Sequence, residues 1–480
     1  MSNILIVLPY SGRNFGGGLA VFNQEFTKAL VVNGHSVKLL ALDVRVPSGR
    51  EPINPTAEDH GRATILYLND VPIQMQNPGG IDKEREELYQ RINDSDYLAR
   101  NDVQAKVLGS DVPWYPEIII GHSRFSGPAA ILLKDRYFPR AKTNYFLHSY
   151  PVEGTILTGY DAYGEAIDTE SAGRKIAIEA EWMKKADLVV PVGPLLRAGA
   201  LKLLHGARVR VHECIGGVEA MERVSFEEPR ARIRLLFNGR ASAPIKGLED
   251  FLLAAQILRD DKGCPPLELH VRYWAARNFY PDGPGDPSTV VETVDYQAVQ
   301  KFADEIVHVG RDADKVRVLV RPSTTTIMDE VRASYGVLMP SYIEHFGLVP
   351  MEALSAGVPA LVNEISGAGM FLARFGKHGE NCVVHDFYKR VSASEPDDFL
   401  EPSGVPTTAF DGRPAAWADA IKKLVTNLPA RFREARELGE TLSKSYSWAD
   451  CARGVVLAST SPYDRFAVTR QGPEGSVESC

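Results

Sequence analysis

The sequence predicts an α/β protein made of two parallel-sheet domains in tandem, and three observations predict it. Short, unbroken runs rich in Val, Ile and Leu alternate with helix-period segments through most of the chain, the pattern of strands buried on both faces of a parallel sheet. The alternation breaks after residue 219, where the polar, proline-containing stretch EAMERVSFEEPRARI reads as a connection between domains. A length of 480 residues is too great for one ordinary core and suits two or three.

The elements follow in order. ILIVLPY is a first strand; Leu19, Phe22, Phe26 and Leu30 mark a helix that Gly34 stops, and SVKLLALD is the next strand. EIIIGHS, TNYFLHS, DLVVPVG and RVRVHECIGGV continue the series, separated by helical stretches such as TESAGRKIAIEAEWMKKA. A second series opens at IRLLFNGR and runs through LELHVRYWA, VRVLVRP, YGVLMPS, PALVNE and NCVVHD. The expected organisation is a domain at 1–219, a second at 220–445, a helix at 446–460 and a tail at 461–480. Residues 44–62 and 94–114 read as polar loops and 276–292 as an inserted loop. No repeat of fixed short period is present.

Composition excludes several classes. Apolar residues make up 44% and charged residues 24%, ordinary for a soluble globular chain. With 54 basic against 62 acidic residues the net charge is −8, which gives no footprint for nucleic acid or an anionic membrane. Five scattered cysteines, without a CxxC pair, read as reduced thiols in a cytoplasmic protein. MSNILIVLPYSGR lacks a basic n-region and its apolar run is far short of a membrane span, so it is read as a buried strand rather than a signal peptide.

Four motifs can carry chemistry. After the first strand, GRNFGGGLA places Gly16–Gly18 at a helix start, where close backbone approach and unpaired N–H groups suit an anion; Val21 stands where a dinucleotide fingerprint needs glycine, and no GK[ST] is present. His122 and His148 end two strands, at the carboxyl ends of a parallel sheet, which face the crevice where ligands bind, although a strand-end histidine is more often structural. No HxH or HExxH spacing points to a metal. Arg240 and Lys246 follow the first strand of the second series and suit a diphosphate, the bland alternative being two solvated cations. In SYIEHFGLVPMEALSAG, Glu344 falls in a strand-end loop and Pro350 is expected to open a helix with Glu352 in its first turn; Gly347, Leu348 and Val349 turn N–H groups toward an anion. The macrodipole alone also favours glutamate there.

Together these residues resemble the retaining glycosyltransferases of the GT-B architecture, specifically family 4, over roughly residues 3–460. EHFGLVPMEALSAGVP matches the E-x7-E signature; the glycine-rich loop, EIIIGHSRFSG, FLHS, CIGGV, NGR…KG and SYSWAD support it in the same order. The resemblance implies two Rossmann-like, doubly wound domains facing across an interdomain cleft, the first binding acceptor and the second a nucleotide sugar, with the helix at 446–460 crossing back.

It further implies that Glu344 contacts donor-sugar hydroxyls, Glu352 the ribose, Arg240 and Lys246 the diphosphate, and His148 the sugar near the reacting centre. Gly17 and Gly18 would let the first domain close over the phosphates, the base would lie near Val320 and Arg321, and His122 and Arg124 are acceptor-side candidates. The implied reaction is metal-independent front-face hexosyl transfer (EC 2.4) from a nucleotide-diphosphate sugar, such as a UDP-sugar, to a small molecule or glycan, with no cofactor. Nucleic acid is not an expected partner, membrane docking is not favoured, and a homodimer is left open. The alternatives are a glucan or disaccharide synthase of the same fold, a non-catalytic nucleotide-sugar binder, and a two-domain oxidoreductase, against which Val21 and the glutamate pair argue. CIGGV departs from the usual Pro-Asn-Gly, and VRPSTTTIMDEV is unusual at the place of the base contacts.

Overall fold

The computed structural model describes residues 1–9, 18–45, 60–74, 82–109, 112–149, 169–219, 221–229, 231–237, 239, 246–259, 261–273, 315–320, 324–342, 344–385 and 412–461. Gly17, Arg240, Arg321, the expected insertion at 276–292 and nearly all of the expected tail lie outside the described residues. Those described fall into two compact units, one drawn from Met1–Tyr150, Glu170–Gly217 and Tyr446–Cys480, the other from Val218–Ser445.

The first unit is built on strands β1 (Asn3–Val7), β2 (Ser36–Ala41), β4 (Thr64–Tyr67), β6 (Ile118–His122), β7 (Lys142–Leu147), β8 (Leu188–Pro191) and β9 (Arg210–Val211), with β3 (Val44–Arg45) and β5 (Ile73–Gln74) as a small separate pair. The main sheet has the order β4-β2-β1-β6-β7-β8-β9, and its described pairings are parallel. Central strands are buried on both faces: Ile4, Leu5, Ile6 and Val7 are inaccessible, as are Ile118, Ile119 and Ile120. This is why their sequences are continuously apolar rather than alternating. β4, at an edge, is only half-buried.

The stretch 94–114, expected as a loop, instead contains the helices Ser95–Arg100 and Val103–Leu108. Asp94 caps the first by accepting from the N–H groups of Asp96 and Tyr97, and Leu98, Val103 and Val107 are buried. The apolar positions are too few over so short a span to stand out from a polar background.

The unit is completed from far along the chain. The helix Trp448–Thr460 is capped by Ser447, whose hydroxyl accepts from Asp450 N–H at 3.1 Å. It is tied down by Asn33 Nδ2 donating to Ala449 O (2.9 Å), Asn144 Nδ2 to Ser459 Oγ (2.6 Å) and Arg210 Nη1 to Ala458 O (2.8 Å). Cys214 and Cys451, both free thiols, bring their sulfurs to 2.8 Å.

The second unit carries β10 (Ile233–Phe237), β11 (Leu267–Tyr273), β12 (Lys315–Val320), β13 (Gly336–Met339), β14 (Ala360–Asn363) and β15 (Val383–Val384). Their order is β12-β11-β10-β13-β14-β15, again with parallel described pairings. Counted from β10 this is 3-2-1-4-5-6, the doubly wound order of dinucleotide-binding folds. Phe237, Phe251, Leu269, Trp417 and Ile421 belong to its core. Among the described residues, no helix is long and apolar enough to cross a membrane.

Both sheets reverse their strand order once. In the first the reversal lies between β1 and β6, in the second between β10 and β13. In open α/β sheets, ligands bind outside the carboxyl ends of the strands at such a point, where neighbouring loops turn opposite ways and leave a crevice.

Candidate active site

In the second unit the two strands at the reversal deliver Lys246 and Glu344. Lys246 follows β10 and Glu344 follows β13; their Nζ and Oε2 atoms are 2.6 Å apart, and both side chains are largely buried. The loop carrying Glu344 is held from several sides. Gly367 N–H donates to Glu344 O (2.8 Å), Phe346 is buried against Phe371, and Asn363 Nδ2 donates to Ser341 O (3.3 Å). A Cβ on Gly367 would lie 1.9 Å from His345 O, so only glycine permits this approach.

The loop then enters the helix Leu348–Ser355. Its N-cap, Gly347, has φ +82°, and no side chain caps the helix. The first-turn N–H groups therefore keep their capacity to bind an anion. The helix starts at Leu348, two residues before the expected Pro350, which is accommodated because a first-turn residue needs no intrahelical N–H bond. Glu352 consequently lies beyond the first turn, which contains no acidic residue, and the macrodipole is a weaker account of it than the sequence allowed.

Beneath this loop lies a charged group that sequence reasoning missed. Arg413, 1% exposed, donates through Nε to Asp250 Oδ2 (3.0 Å) and through Nη2 to Pro340 O (2.8 Å). Its guanidinium also covers the Tyr342 ring at 4.0 Å. Burial raises the Asp250 pKa despite the arginine, and burial and Asp250 push the Tyr342 phenol up. The arginine thus fixes the end of β13 through a backbone carbonyl.

In the first unit, His122 and His148 come together. β6 ends at His122, β7 is followed by His148, and His122 Nδ1 lies 2.9 Å from His148 Nε2. Ser126 Oγ accepts from His122 N–H (3.0 Å) and donates to Val7 O (2.6 Å); Ser123 Oγ accepts from His148 N–H (3.1 Å). Ser123 holds φ +43°, an unusual conformation for a non-glycine residue, as the strand turns into the helix Ser123–Tyr137. Phe22 meets His148 edge-on, with ring centroids 4.9 Å apart. Burial lowers the pKa of both histidines: His122 well below the ordinary value, with His148 adding to the effect, and His148 to about 3.

Arg124, the other acceptor-side candidate, is paired with Glu86 at 2.9 Å and stacks on Phe125. Its backbone N–H donates to Glu179 Oε1 (2.8 Å), and Tyr145 OH donates to Glu179 Oε2 (2.5 Å). Glu179 is wholly inaccessible, and burial, against the opposing effect of these donors, raises its pKa to about 7. Gly127 is required beneath the Tyr145 ring, since a Cβ there would lie 2.1 Å from Cε2. Gly18 is the first residue of the helix Gly18–Val32. Among the described residues, no group of three or more His, Cys, Asp or Glu side chains is placed to hold a metal ion.

A family model described as Family 4 Glycosyltransferase in conflict systems matches residues 12–455. The chain belongs to that family. The family 4 glycosyltransferase is similar to glycogen synthase of Mycobacterium tuberculosis, at 20% identity over 440 residues covering 91% of this chain and 89% of the relative. Sucrose-phosphate synthase from Thermosynechococcus elongatus shares its fold, with a TM-score of 0.64 at 15% identity, over 95% of this chain and 98% of the other. An Anabaena protein solved in complex with UDP and glucose superposes with a TM-score of 0.56 at 13% identity, over 95% and 98% of the two chains. The glycosyltransferase is thus of the GT-B type that the E-x7-E segment and its companions implied.

Proposed function

We propose that this family 4 glycosyltransferase is a retaining hexosyltransferase that moves a sugar from a nucleoside-diphosphate sugar to a small molecule or glycan. The observation that carries the reading is the Lys246–Glu344 pair at the strand-order reversal of the second unit, beside the uncapped helix start at Gly347. Breaking a sugar–phosphate bond builds negative charge on the leaving diphosphate and positive charge at the anomeric carbon. A cation and fixed N–H dipoles aimed at the diphosphate stabilise the first, and can do so without a metal ion. In this proposal Arg240, Lys246 and the N–H groups of Gly347, Leu348 and Val349 bind the diphosphate, Glu344 the sugar hydroxyls and Glu352 the ribose diol. Arg321 lies by the base, His148 contacts the sugar near the reacting centre, and Gly17 and Gly18 allow close approach to the phosphates. The leaving phosphate takes the acceptor's proton on the same face, giving retention.

A UDP-sugar is the first donor to test, because a structure of the same fold was solved with UDP and glucose. The setting proposed is cytoplasmic, where the free thiols Cys214, Cys264, Cys382 and Cys451 stay reduced. A glucan synthase is the second reading, favoured by the likeness to glycogen synthase. The test is a thermal-shift panel of nucleoside diphosphates and their sugars, with and without EDTA, followed by NMR of the product anomer. One nucleotide should raise the unfolding temperature independently of EDTA, and the product should keep the donor's anomeric configuration. No response to any nucleotide, or an inverted product, would overturn the proposal; an oligosaccharide acceptor outperforming small molecules would select the glucan synthase.

A further inference from the structure

The pairing of two neutral histidines leaves a choice that the surroundings decide. His122 Nδ1 and His148 Nε2 share one proton across 2.9 Å, so one ring is donor and the other acceptor. If His148 Nε2 carries the proton, His122 Nδ1 accepts it, and the neutral His122 ring must then carry its own proton on Nε2. That atom is buried and has no hydrogen-bond partner among the described residues. An N–H would be orphaned there, the rarer and more costly kind of unsatisfied buried group. If His122 Nδ1 carries the proton, only a bare nitrogen lone pair is left against the apolar surroundings that include the Phe146 ring. His148 then holds its own proton on Nδ1, which, unlike His122 Nε2, is not a buried atom without a partner.

We infer that His122 is a positioning residue whose Nδ1–H donates to His148 Nε2, locking His148 in the Nδ1–H tautomer and so presenting an N–H donor to whatever the ring faces. Free imidazole side chains favour the opposite tautomer, so the choice is imposed by the pair. The backbone is built to hold it: Ser126 grips His122 N–H, Ser123 grips His148 N–H, and Phe22 blocks rotation of the His148 ring from the side. The inference rests on the proposed reading of His148 for its consequence: a donor at Nδ1 suits a sugar hydroxyl oxygen or ring oxygen, and a bare nitrogen would not. His122 itself would touch neither donor nor acceptor, which differs from the acceptor-side role its sequence position implied.

The test is two-bond 1H–15N correlation NMR on the full chain, selectively labelled with 15N-histidine, with His148 assigned from the signals missing in His148→Ala. His148 should show a protonated Nδ1 and a bare Nε2. His122→Phe keeps the ring volume but removes the donor, and should return His148 to the Nε2–H form. His122→Asn keeps an N–H at the same depth and should preserve the Nδ1–H form. With the donor and acceptor found by the panel above, His122→Phe should lower kcat about 10-fold, the worth of one hydrogen bond, with the diphosphate affinity unchanged, and His122→Asn should recover most of it. A wild-type His148 protonated at Nε2, or a His148 tautomer indifferent to His122→Phe, would overturn the inference. If the tautomer is as stated but His148→Ala transfers sugar at full rate, the sugar-facing role of His148 fails while the pairing stands.

Discussion

Lys246 and Glu344 neutralise one another across 2.6 Å, though they are assigned to opposite ends of the same sugar diphosphate. The carboxylate is therefore a competitor for the cation. Lys246→Met should weaken nucleoside diphosphate binding roughly 10–100-fold, the loss expected for a hydrogen bond to a charged group. Glu344→Gln should leave that affinity equal or tighter while sugar transfer collapses. Calorimetric titration with the diphosphate, beside turnover with its sugar, separates the two; a Glu344→Gln chain with normal turnover would remove Glu344 from the site.

Gly367 sets the position of the Glu344 loop, donating its N–H to Glu344 O and passing close under His345 O. Gly367→Ala puts a methyl group where His345 O now stands, so the loop must move by more than 1 Å or the helix start must give. Overpacking of this kind costs about 1–3 kcal/mol. The expected result is a lowered unfolding temperature together with a loss of turnover larger than the loss of diphosphate affinity. Turnover unchanged in a destabilised chain would show that the loop's position does not matter to transfer.

Arg413 and Asp250 form an ion pair with almost no access to water. Removing one partner strands the other, which costs about 3–5 kcal/mol in buried pairs. Arg413→Met should therefore destabilise strongly in urea denaturation, and Asp250→Asn added to it should restore part of the loss, because the stranded carboxylate is gone. Additive single effects in this double-mutant cycle would mean that the pair is not coupled.

Glu179 makes stability depend on pH in an unusual direction. Its folded pKa is raised to about 7 by burial, with Tyr145 and the Arg124 N–H opposing, and Arg124 is itself held by Glu86. Between the ordinary glutamate pKa and 7 the unfolded chain has lost this proton and the folded chain has kept it, so stability falls as pH rises through that window. The loss sums to about 3 kcal/mol and is complete above pH 7. Glu179→Gln mimics the protonated acid, so it should match the wild type near pH 4.5 and be the more stable of the two at pH 8. Parallel stability profiles for the two chains would show that Glu179 ionises normally.

The strands were legible because burial on both faces writes itself as unbroken apolar sequence, and the loops bearing Glu344 and Lys246 followed from where those strands end. Glu179 was not legible. Its helix buries the glutamate completely while its neighbour Ile178 stays 42% exposed, the reverse of what hydrophobicity dictates. Only the partners explain it, and they come from a strand and a helix start more than thirty residues earlier. Arg413 was hidden for the same reason, since a buried guanidinium needs an aspartate, a carbonyl and an aromatic face that sequence spacing does not bring together. The start at Leu348 was missed because Pro350 reads as a first helical residue, and the backbone turn at Gly347 that moves it earlier has no hydrophobic signature.

The helix Trp448–Thr460 has a consequence for the order of events on the ribosome. Asn33, Asn144, Arg210 and Cys214 wait for partners that are synthesised some two hundred and thirty residues after Gly217. At translation rates of about 5–20 residues per second, that interval is roughly 10–50 s. Phe22, which flanks His148, also lacks its Trp448 neighbour until then. The amino-terminal half of the enzyme therefore emerges first and matures last, after the second unit has had time to fold.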